Sequence, residues 1–155
     1  IYRLMFEYEN YKVYGSVKNF SMLQRFELWG NACEIILHNP WLGVGTGDVA
    51  DEIRNNLIKN NSELKDSNMR THNQYLTLLL TFGVVGTAII VTLFVNAIRK
   101  EKLFESLLFM AYFLIVMVSF ISEDTLETAA GCLFCTFFFA LFVMRKQANS
   151  STNNL

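Results

Sequence analysis

The chain has 155 residues, of which 52% are apolar and 17% charged, with a net charge of −1 and a mean hydropathy of +0.28. This composition excludes a disordered chain and argues against an ordinary soluble domain, in which about 25% of the residues are charged. The net charge also excludes a nucleic-acid binder that relies on bulk positive charge. Charged side chains are concentrated in the first 71 residues, which predicts a polar segment followed by a membrane region.

The chain starts at Ile1 and shows no signal-peptide pattern. We therefore expect a C-terminal fragment of a longer protein. Its first part, residues 1–71, is expected to form a partly helical extracytoplasmic loop.

An amphipathic helix is predicted over about residues 21–38 of this loop. Apolar residues recur there at spacings of four and three, namely Met22, Phe26, Trp29, Cys33 and Ile36. Ser21 is expected to cap the helix, which His38-Asn39-Pro40 ends. Because Arg25 and Trp29 are four residues apart, the guanidinium is expected to lie over the indole ring.

A glycine-rich loop follows, with Gly43, Gly45 and Gly47 at alternate positions. Glycines in this pattern permit either a tight turn or a close approach to a ligand. No strand precedes the loop and its last glycine is misplaced, so it is not a dinucleotide-binding fingerprint. One further short helix is predicted over residues 49–59.

Three apolar runs predict transmembrane helices at about 73–98, 104–122 and 128–144. The fold class is therefore an all-α, polytopic membrane protein fragment, with the three helices lying within 72–146. Basic residues occur at 99–102 and 145–146, whereas the turn at 122–127 is acidic. The positive-inside rule then places residues 1–71 and the acidic turn outside, and a tail of residues 147–155 in the cytoplasm.

The first apolar run begins beside a candidate anion site. Thr71 and Gln74 form a capping-box pattern, which predicts a helix start with His72 in its first turn. A helix N-terminus favours anions, and Arg70 adds a full positive charge. Alternatively, Arg70 and His72 only anchor the helix at the membrane interface.

Three sequence blocks suggest a family. They are Arg25-Phe26-Glu27-Leu28-Trp29, then Asn39-Pro40-Trp41-Leu42-Gly43-Val44-Gly45-Thr46-Gly47, then His72-Asn73-Gln74-Tyr75-Leu76 with Phe82-Gly83-Val84-Val85-Gly86. In their order and spacing, these blocks resemble the bacterial O-antigen ligase family over roughly residues 20–145. The resemblance implies that earlier transmembrane helices of the same protein, which hold the lipid carrier, are missing partners of this fragment. The loop is short for the family, which leaves the acceptor open.

The resemblance implies a metal-independent membrane glycosyltransferase without a cofactor, in the bacterial inner membrane with its active site facing the periplasm. Its partners are expected to be an undecaprenyl-diphosphate-linked glycan and the lipid A core of lipopolysaccharide. We assign catalytic roles to His72 and Arg25, since imidazole is a suitable general base and a guanidinium binds phosphate oxygens in pairs. Contacts to the diphosphate or the acceptor are assigned to Arg70, Asn73, Gly43, Gly45 and Glu123.

Alternatives remain at this point. His72 either takes the acceptor proton or donates to the diphosphate. The three acids of the turn either orient the acceptor, pair with Arg25, or belong to a solvated loop, namely Glu123, Asp124 and Glu127. An O-antigen or exopolysaccharide polymerase and a protein O-glycosyltransferase share the chemistry and differ in the acceptor, while a non-enzymatic membrane module predicts no dependence on Arg25 or His72.

Overall fold

The structure, a computed structural model, describes residues 2–17, 20–66 and 70–152. These residues form α-helices and no strand, as the all-α prediction requires. The helices are α1 (Tyr2–Tyr14), α2 (Ser21–His38), α3 (Val49–Lys59), α4 (Gln74–Lys100), α5 (Leu107–Ser122) and α6 (Ala129–Thr152). Two short 3-10 helices, Leu103–Glu105 and Thr125–Glu127, flank α5.

Helix α2 has the predicted bounds but packs through a different face. Its buried positions are Leu28, Asn31, Ala32 and Ile35, whereas Phe26 and Cys33 of the predicted face are exposed. The apolar stripe named from the sequence is therefore not the main face through which α2 packs against the other helices. Helix α2 carries a second apolar stripe with the same periodicity, and this stripe is the one that meets α3 and α4. The predicted cap is wrong, because the N-cap of α2 is Phe20, without a side-chain cap.

A first hydrophobic core joins α2, α3 and the beginning of α4. Its buried members come from all three helices and from the segment after α3: Leu28, Ala32, Ile35, Ile53, Leu57, Leu64 and Leu80. The start of α4 therefore belongs to the same packing unit as the first 66 residues. This core fixes α4 relative to α2, and both helices carry residues of the site described below.

The start of α4 differs from the predicted capping box. Asn73 is the N-cap, and its side-chain oxygen accepts hydrogen bonds from the N–H groups of Tyr75 (3.0 Å) and Leu76 (3.2 Å). The Gln74 side chain instead accepts from Leu126 N at 2.7 Å. The expected pairing of Thr71 with Gln74 is thus wrong, because Asn73 is the better N-cap in this geometry. As a consequence, His72 precedes the helix rather than lying in its first turn.

Helix α4 is sharply bent at Gly83. This residue has φ 61° and ψ −170°, a region of backbone space that is essentially restricted to glycine. On the far side of the bend, the Thr87 hydroxyl donates to Leu78 O at 3.1 Å. In a straight helix residues nine apart would be separated by about 13.5 Å along the axis. We therefore describe two segments of α4, the first at residues 74–82 and the second at residues 84–100.

The glycine-rich loop fills the gap in the α4 hydrogen-bond ladder. Four main-chain bonds join residues 40–45, here called the docked loop, to the bend: Val44 N to Leu80 O (2.7 Å), Gly45 N to Thr81 O (3.0 Å), Val84 N to Pro40 O (2.8 Å) and Val85 N to Trp41 O (3.1 Å). Breaking a helix leaves polar backbone groups without partners, which is costly where water is scarce. The docked loop supplies those partners.

Gly43 and Gly83 allow this contact because neither has a side chain. A Cβ on Gly43 would lie 2.6 Å from Gly83 N, and a Cβ on Gly83 would lie 2.5 Å from Gly43 N. Real Cβ atoms do not approach other atoms this closely. The glycines of the loop therefore permit its close approach to the backbone of α4.

Two helices of the described chain are long and apolar enough to cross a membrane, Gln74–Lys100 and Ala129–Ala148. The prediction of three is corrected, because α5 has only 16 residues, about 24 Å, against a hydrocarbon core of about 30 Å. The predicted span at 104–122 is shortened by the 3-10 helix and by Ser106, which caps α5. Helix α6 continues beyond 144 to Thr152, and residues 153–155 of the predicted tail lie outside the described residues.

A second hydrophobic core joins the end of α4 to α5 and α6. It is rich in aromatic rings, and its buried members are Ile98, Leu103, Phe109, Tyr112, Val116, Phe120 and Cys135. This core brings the C-terminal end of α5 close to the start of α4, where Tyr75 donates to Met117 O at 3.1 Å. The acidic turn after α5 consequently lies beside His72.

Candidate active site

The site is built around a tight turn just before α4. His72 has φ 49°, a left-handed conformation that non-glycine residues adopt rarely. A conformation of this kind costs about 1–3 kcal/mol and persists only where the surroundings hold it. The surroundings here are the acidic turn after α5, more than 50 residues further along the chain.

Asp124 holds this turn. One carboxylate oxygen accepts from His72 N at 2.9 Å, and the other accepts from Asn73 N at 3.1 Å. Two hydroxyls also contact the second oxygen, Thr77 Oγ1 at 2.7 Å and Thr71 Oγ1 at 3.1 Å. Because Asp124 is only 5% exposed, each of these bonds offsets the desolvation of the carboxylate. Asp124 therefore fixes the backbone from which the His72 imidazole projects.

Glu123 joins the two predicted catalytic residues. Its Oε1 accepts from Arg25 Nη2 at 2.9 Å, and its Oε2 lies 3.3 Å from His72 Nδ1. Arg25 also donates from Nη1 to the carbonyl oxygen of Ser122. The expected stacking of Arg25 on Trp29 is wrong, because the guanidinium extends to the acidic turn, while the Trp29 indole donates to Thr71 O at 2.8 Å. Residues from α2, the His72 turn and the acidic turn thus meet at one carboxylate.

The charge of Glu123 bears on which tautomer of the neutral His72 imidazole fits the site. Desolvation raises the pKa of the Glu123 carboxyl, but the hydrogen bonds from Arg25 and His72 outweigh it and hold that pKa below its usual value. An ionised carboxylate only accepts hydrogen bonds, so His72 Nδ1 must carry the proton that it shares with Glu123. In the neutral imidazole, Nε2 is then free to accept a proton.

The depressed pKa also gives the sign of the pH dependence. A carboxyl whose pKa is lower in the folded state stabilises the fold above its unfolded pKa. That contribution disappears as the pH falls through the folded pKa of Glu123. Acidification should therefore weaken the contacts of the Arg25 guanidinium and the His72 imidazole with the Glu123 carboxylate.

The other predicted site residues have different surroundings. Arg70 is exposed and forms no hydrogen bond or ion pair with any residue in the described ranges. Asn73 caps α4 and also donates from Nδ2 to Ile121 O at 3.2 Å. Gly43 and Gly45 lie in the docked loop against α4. Arg25, His72, Asn73 and Glu123 are thus brought together, while Gly43 and Gly45 contact the helix bend and Arg70 is exposed.

Thr71 and Thr77 were not assigned to the site from the sequence, and Asp124 was considered there only as one of the three acids of the turn. Thr71 and Thr77 are buried, and both point at the Asp124 carboxylate. The pair Glu123-Asp124 was a signal in the sequence. Two carboxylates between apolar segments have an unfavourable desolvation free energy unless they have hydrogen-bond or ionic partners. Nothing in the sequence shows which of the two would be buried.

We expect Asp124→Asn to lower the free energy of unfolding by about 1.5–3 kcal/mol. The substitution replaces an acceptor with an NH₂ group that faces backbone N–H donors. Thermal unfolding in detergent micelles measures the effect, and Asp48→Asn is the matched control, since Asp48 is exposed and makes no side-chain cap. Equal melting temperatures for the two variants would contradict the assigned role of Asp124.

Comparison with known proteins places these residues in a family. The family model described as O-antigen ligase matches residues 1–91. The match includes Arg25, the docked loop, the His72 turn and the bend in α4, whereas Glu123 and Asp124 lie beyond it. No curated protein and no solved structure matches the chain significantly. Because the match covers more than half of its residues, the chain belongs to the O-antigen ligase family.

Proposed function

We propose that the site transfers a glycan from undecaprenyl diphosphate to the lipid A core of lipopolysaccharide, on the periplasmic face of the bacterial inner membrane. Membership of the O-antigen ligase family supports a membrane glycosyltransferase of the ligase or polymerase type. The observation that carries the proposal is the contact of Arg25 and His72 with the same carboxylate of Glu123. In this contact only the Glu123 carboxylate separates a cation, the Arg25 guanidinium, from a candidate base, the His72 imidazole.

His72 acts in this proposal as the general base. An acceptor hydroxyl oxygen attacks the anomeric carbon of the glycan, and its proton passes to His72 Nε2. Glu123 accepts the Nδ1 hydrogen bond and stabilises the imidazolium that forms, as a carboxylate does in other His-based sites. This arrangement favours the base over the alternative in which His72 donates to the diphosphate, because Nδ1 is already engaged.

Arg25 acts on the leaving group. As the bond between the anomeric carbon and the diphosphate oxygen breaks, the electron pair stays on the diphosphate and its negative charge grows. A guanidinium fixed in advance stabilises that charge without reorganising during the reaction. Arg25 keeps N–H donors beyond those that bind Ser122 and Glu123. The exposed Arg70, two residues before His72, supplies a second cation near the same headgroup.

The acceptor separates the ligase from its closest rival, a polymerase of the same superfamily. Both break the same bond of the lipid-linked donor, but a polymerase adds the glycan to another glycan. Lipopolysaccharide from a deletion strain distinguishes them by gel electrophoresis. A ligase mutant should lack all glycan on the lipid A core, whereas a polymerase mutant should retain a single repeating unit.

Substitution of Arg25 tests the leaving-group role in the full-length protein. We expect Arg25→Ala to lower the transfer rate by about 100- to 1,000-fold, the loss typical of removing one fixed donor to developing charge. Arg25→Lys should recover only part of that loss, because an ammonium cannot contact paired oxygens. Transfer to purified acceptor is measured by the gel shift of lipopolysaccharide. Arg54→Ala, which removes an exposed arginine from α3, is the control and should retain the wild-type rate.

Two outcomes would contradict this assignment. Wild-type transfer by Arg25→Lys would show that a point charge suffices and that paired contacts do not form. Wild-type transfer by Arg25→Ala would remove Arg25 from the mechanism altogether.

A further inference from the structure

We propose that Trp41 and Leu42, at the tip of the docked loop, insert into the membrane leaflet nearest the site and anchor the loop in lipid. Both are large apolar side chains, and both are mostly exposed, at 68% and 76%. Single exposed apolar residues are ordinary, but two adjacent ones on a loop that is bonded to a transmembrane helix require an apolar neighbour.

The position of the loop along α4 agrees with the edge of the hydrocarbon core. The carbonyls of Pro40 and Trp41 bind the N–H groups of Val84 and Val85, sixteen and fifteen residues before Lys100. The inner end of the core is marked by basic residues at 99–100, and sixteen helical residues extend about 24 Å from there. A core of about 30 Å measured from there would end about 6 Å beyond Val84, so the bonds to the docked loop lie just inside its outer edge. Trp is enriched at this depth in membrane proteins.

The apolar surface of the loop is continuous with that of α4. Large apolar side chains of the bend and the second segment are exposed: Phe82, Val84, Val85, Ile89, Val91 and Leu93. The exposed polar residues of this segment before Arg99 are Thr92 and Asn96. This surface is the one that a transmembrane helix presents to lipid. Residues 39–47 carry no charged side chain that would oppose insertion.

The backbone of the loop is also suited to lipid. A non-helical segment at this depth is tolerated only if its polar groups have partners. Pro40 has no N–H, and the carbonyls of Pro40 and Trp41 accept from α4. Gly43 N donates to Asn39 O at 3.1 Å. The tip therefore exposes its side chains to its surroundings, while the carbonyls of Pro40 and Trp41 and the N–H of Gly43 have main-chain partners.

Depth measurement on the full-length protein tests this proposal. Cys33, Cys132 and Cys135 are replaced by Ser, Leu42→Cys is introduced and labelled with bimane, and the protein is reconstituted into phosphatidylcholine–phosphatidylglycerol vesicles. Lipids with a doxyl group near the headgroup serve as the membrane quencher and iodide as the aqueous one. Ile58→Cys, at an exposed apolar position of α3, is the matched control, and Trp41→Cys provides a second label if the first variant does not fold.

We expect doxyl lipids to quench the label at Leu42 about twofold or more above the label at Ile58, as at an interfacial position. Iodide should quench the label at Ile58 more strongly than the label at Leu42. Two results would overturn the proposal: iodide quenching at Leu42 equal to that at Ile58, or a label shielded from both quenchers, which would mean that another protein segment covers the loop. The readout does not involve glycan transfer, so the failure of this proposal and the failure of the proposed function can be distinguished.

Discussion

Replacing His72 with alanine should lower the rate of glycan transfer by about 100- to 10,000-fold, the usual cost of removing a general base. The acceptor hydroxyl then has no group to take its proton, while Arg25 still stabilises the leaving diphosphate. The measurement is the initial rate with purified acceptor and lipid-linked donor, using the full-length protein. His38 is the only other histidine of the chain, and it lies exposed at the end of α2. His38→Ala should therefore retain the wild-type rate.

A second variant separates the base from the backbone conformation. Asn adopts the left-handed region readily, so His72→Asn should preserve the turn that Asp124 holds and still abolish transfer. Its melting temperature should match the wild type. Near-normal transfer by either variant would exclude His72 as the base. Glu123→Gln should lose less activity than His72→Ala, because its amide oxygen still accepts the Nδ1 hydrogen bond.

Substitution of Gly83 by alanine should have the largest effect on stability. The new Cβ would collide with the docked loop, and the residue would be forced into a conformation that only glycine adopts easily. We expect a loss of about 2–5 kcal/mol in the free energy of unfolding, from backbone strain together with overpacking. Gly43→Ala should be comparable, because it faces the same contact from the other side.

The other glycines of the loop give a graded control series. Gly45 has φ 88° but no atom near its Cβ position, so Gly45→Ala should cost only about 1–2 kcal/mol. Gly47 has neither a clash nor a positive φ, so Gly47→Ala should change stability by less than about 0.5 kcal/mol. Thermal unfolding in one detergent compares all four variants. If Gly47→Ala lost as much free energy of unfolding as Gly83→Ala, the loss would not come from the contact between the docked loop and α4.

Local sequence signals predict the bounds of α2 and α3 well, although neither helix begins with a side-chain cap. Pro40 cannot continue a helix, and the apolar spacing in α2 is regular. The side on which α2 packs was not predictable in the same way. Two apolar stripes run along it, and only the presence of α3 and α4 decides which is buried.

The bend at Gly83 is not predictable from local pattern. Residues 73–98 read as one apolar helix, in which Gly83 and Thr87 resemble a helix-packing pair. The four main-chain bonds that make a broken helix acceptable come from residues about 40 positions earlier. Tertiary contacts therefore override the helical pattern.

The candidate site was partly accessible to sequence reasoning. Arg25 and His72 were identified by residue type and by the resemblance of their surrounding blocks. Their common partner Glu123 lies 98 residues after Arg25. Its pairing with Arg25 was one of the alternatives for the acidic turn, whereas the contact of His72 with the same carboxylate was not predicted. The buried role of Asp124 was missed, since its four donors are the product of the folded turn.

The contact between Asp124 and the His72 turn has a consequence for biogenesis. The two residues are 52 positions apart, so at about 5–20 residues per second the ribosome delivers the carboxylate some 3–10 s after the histidine. During that interval the strained turn has no support. If the proposed function holds, the nascent chain should therefore not transfer glycan until the acidic turn has been synthesised and has packed against the His72 turn.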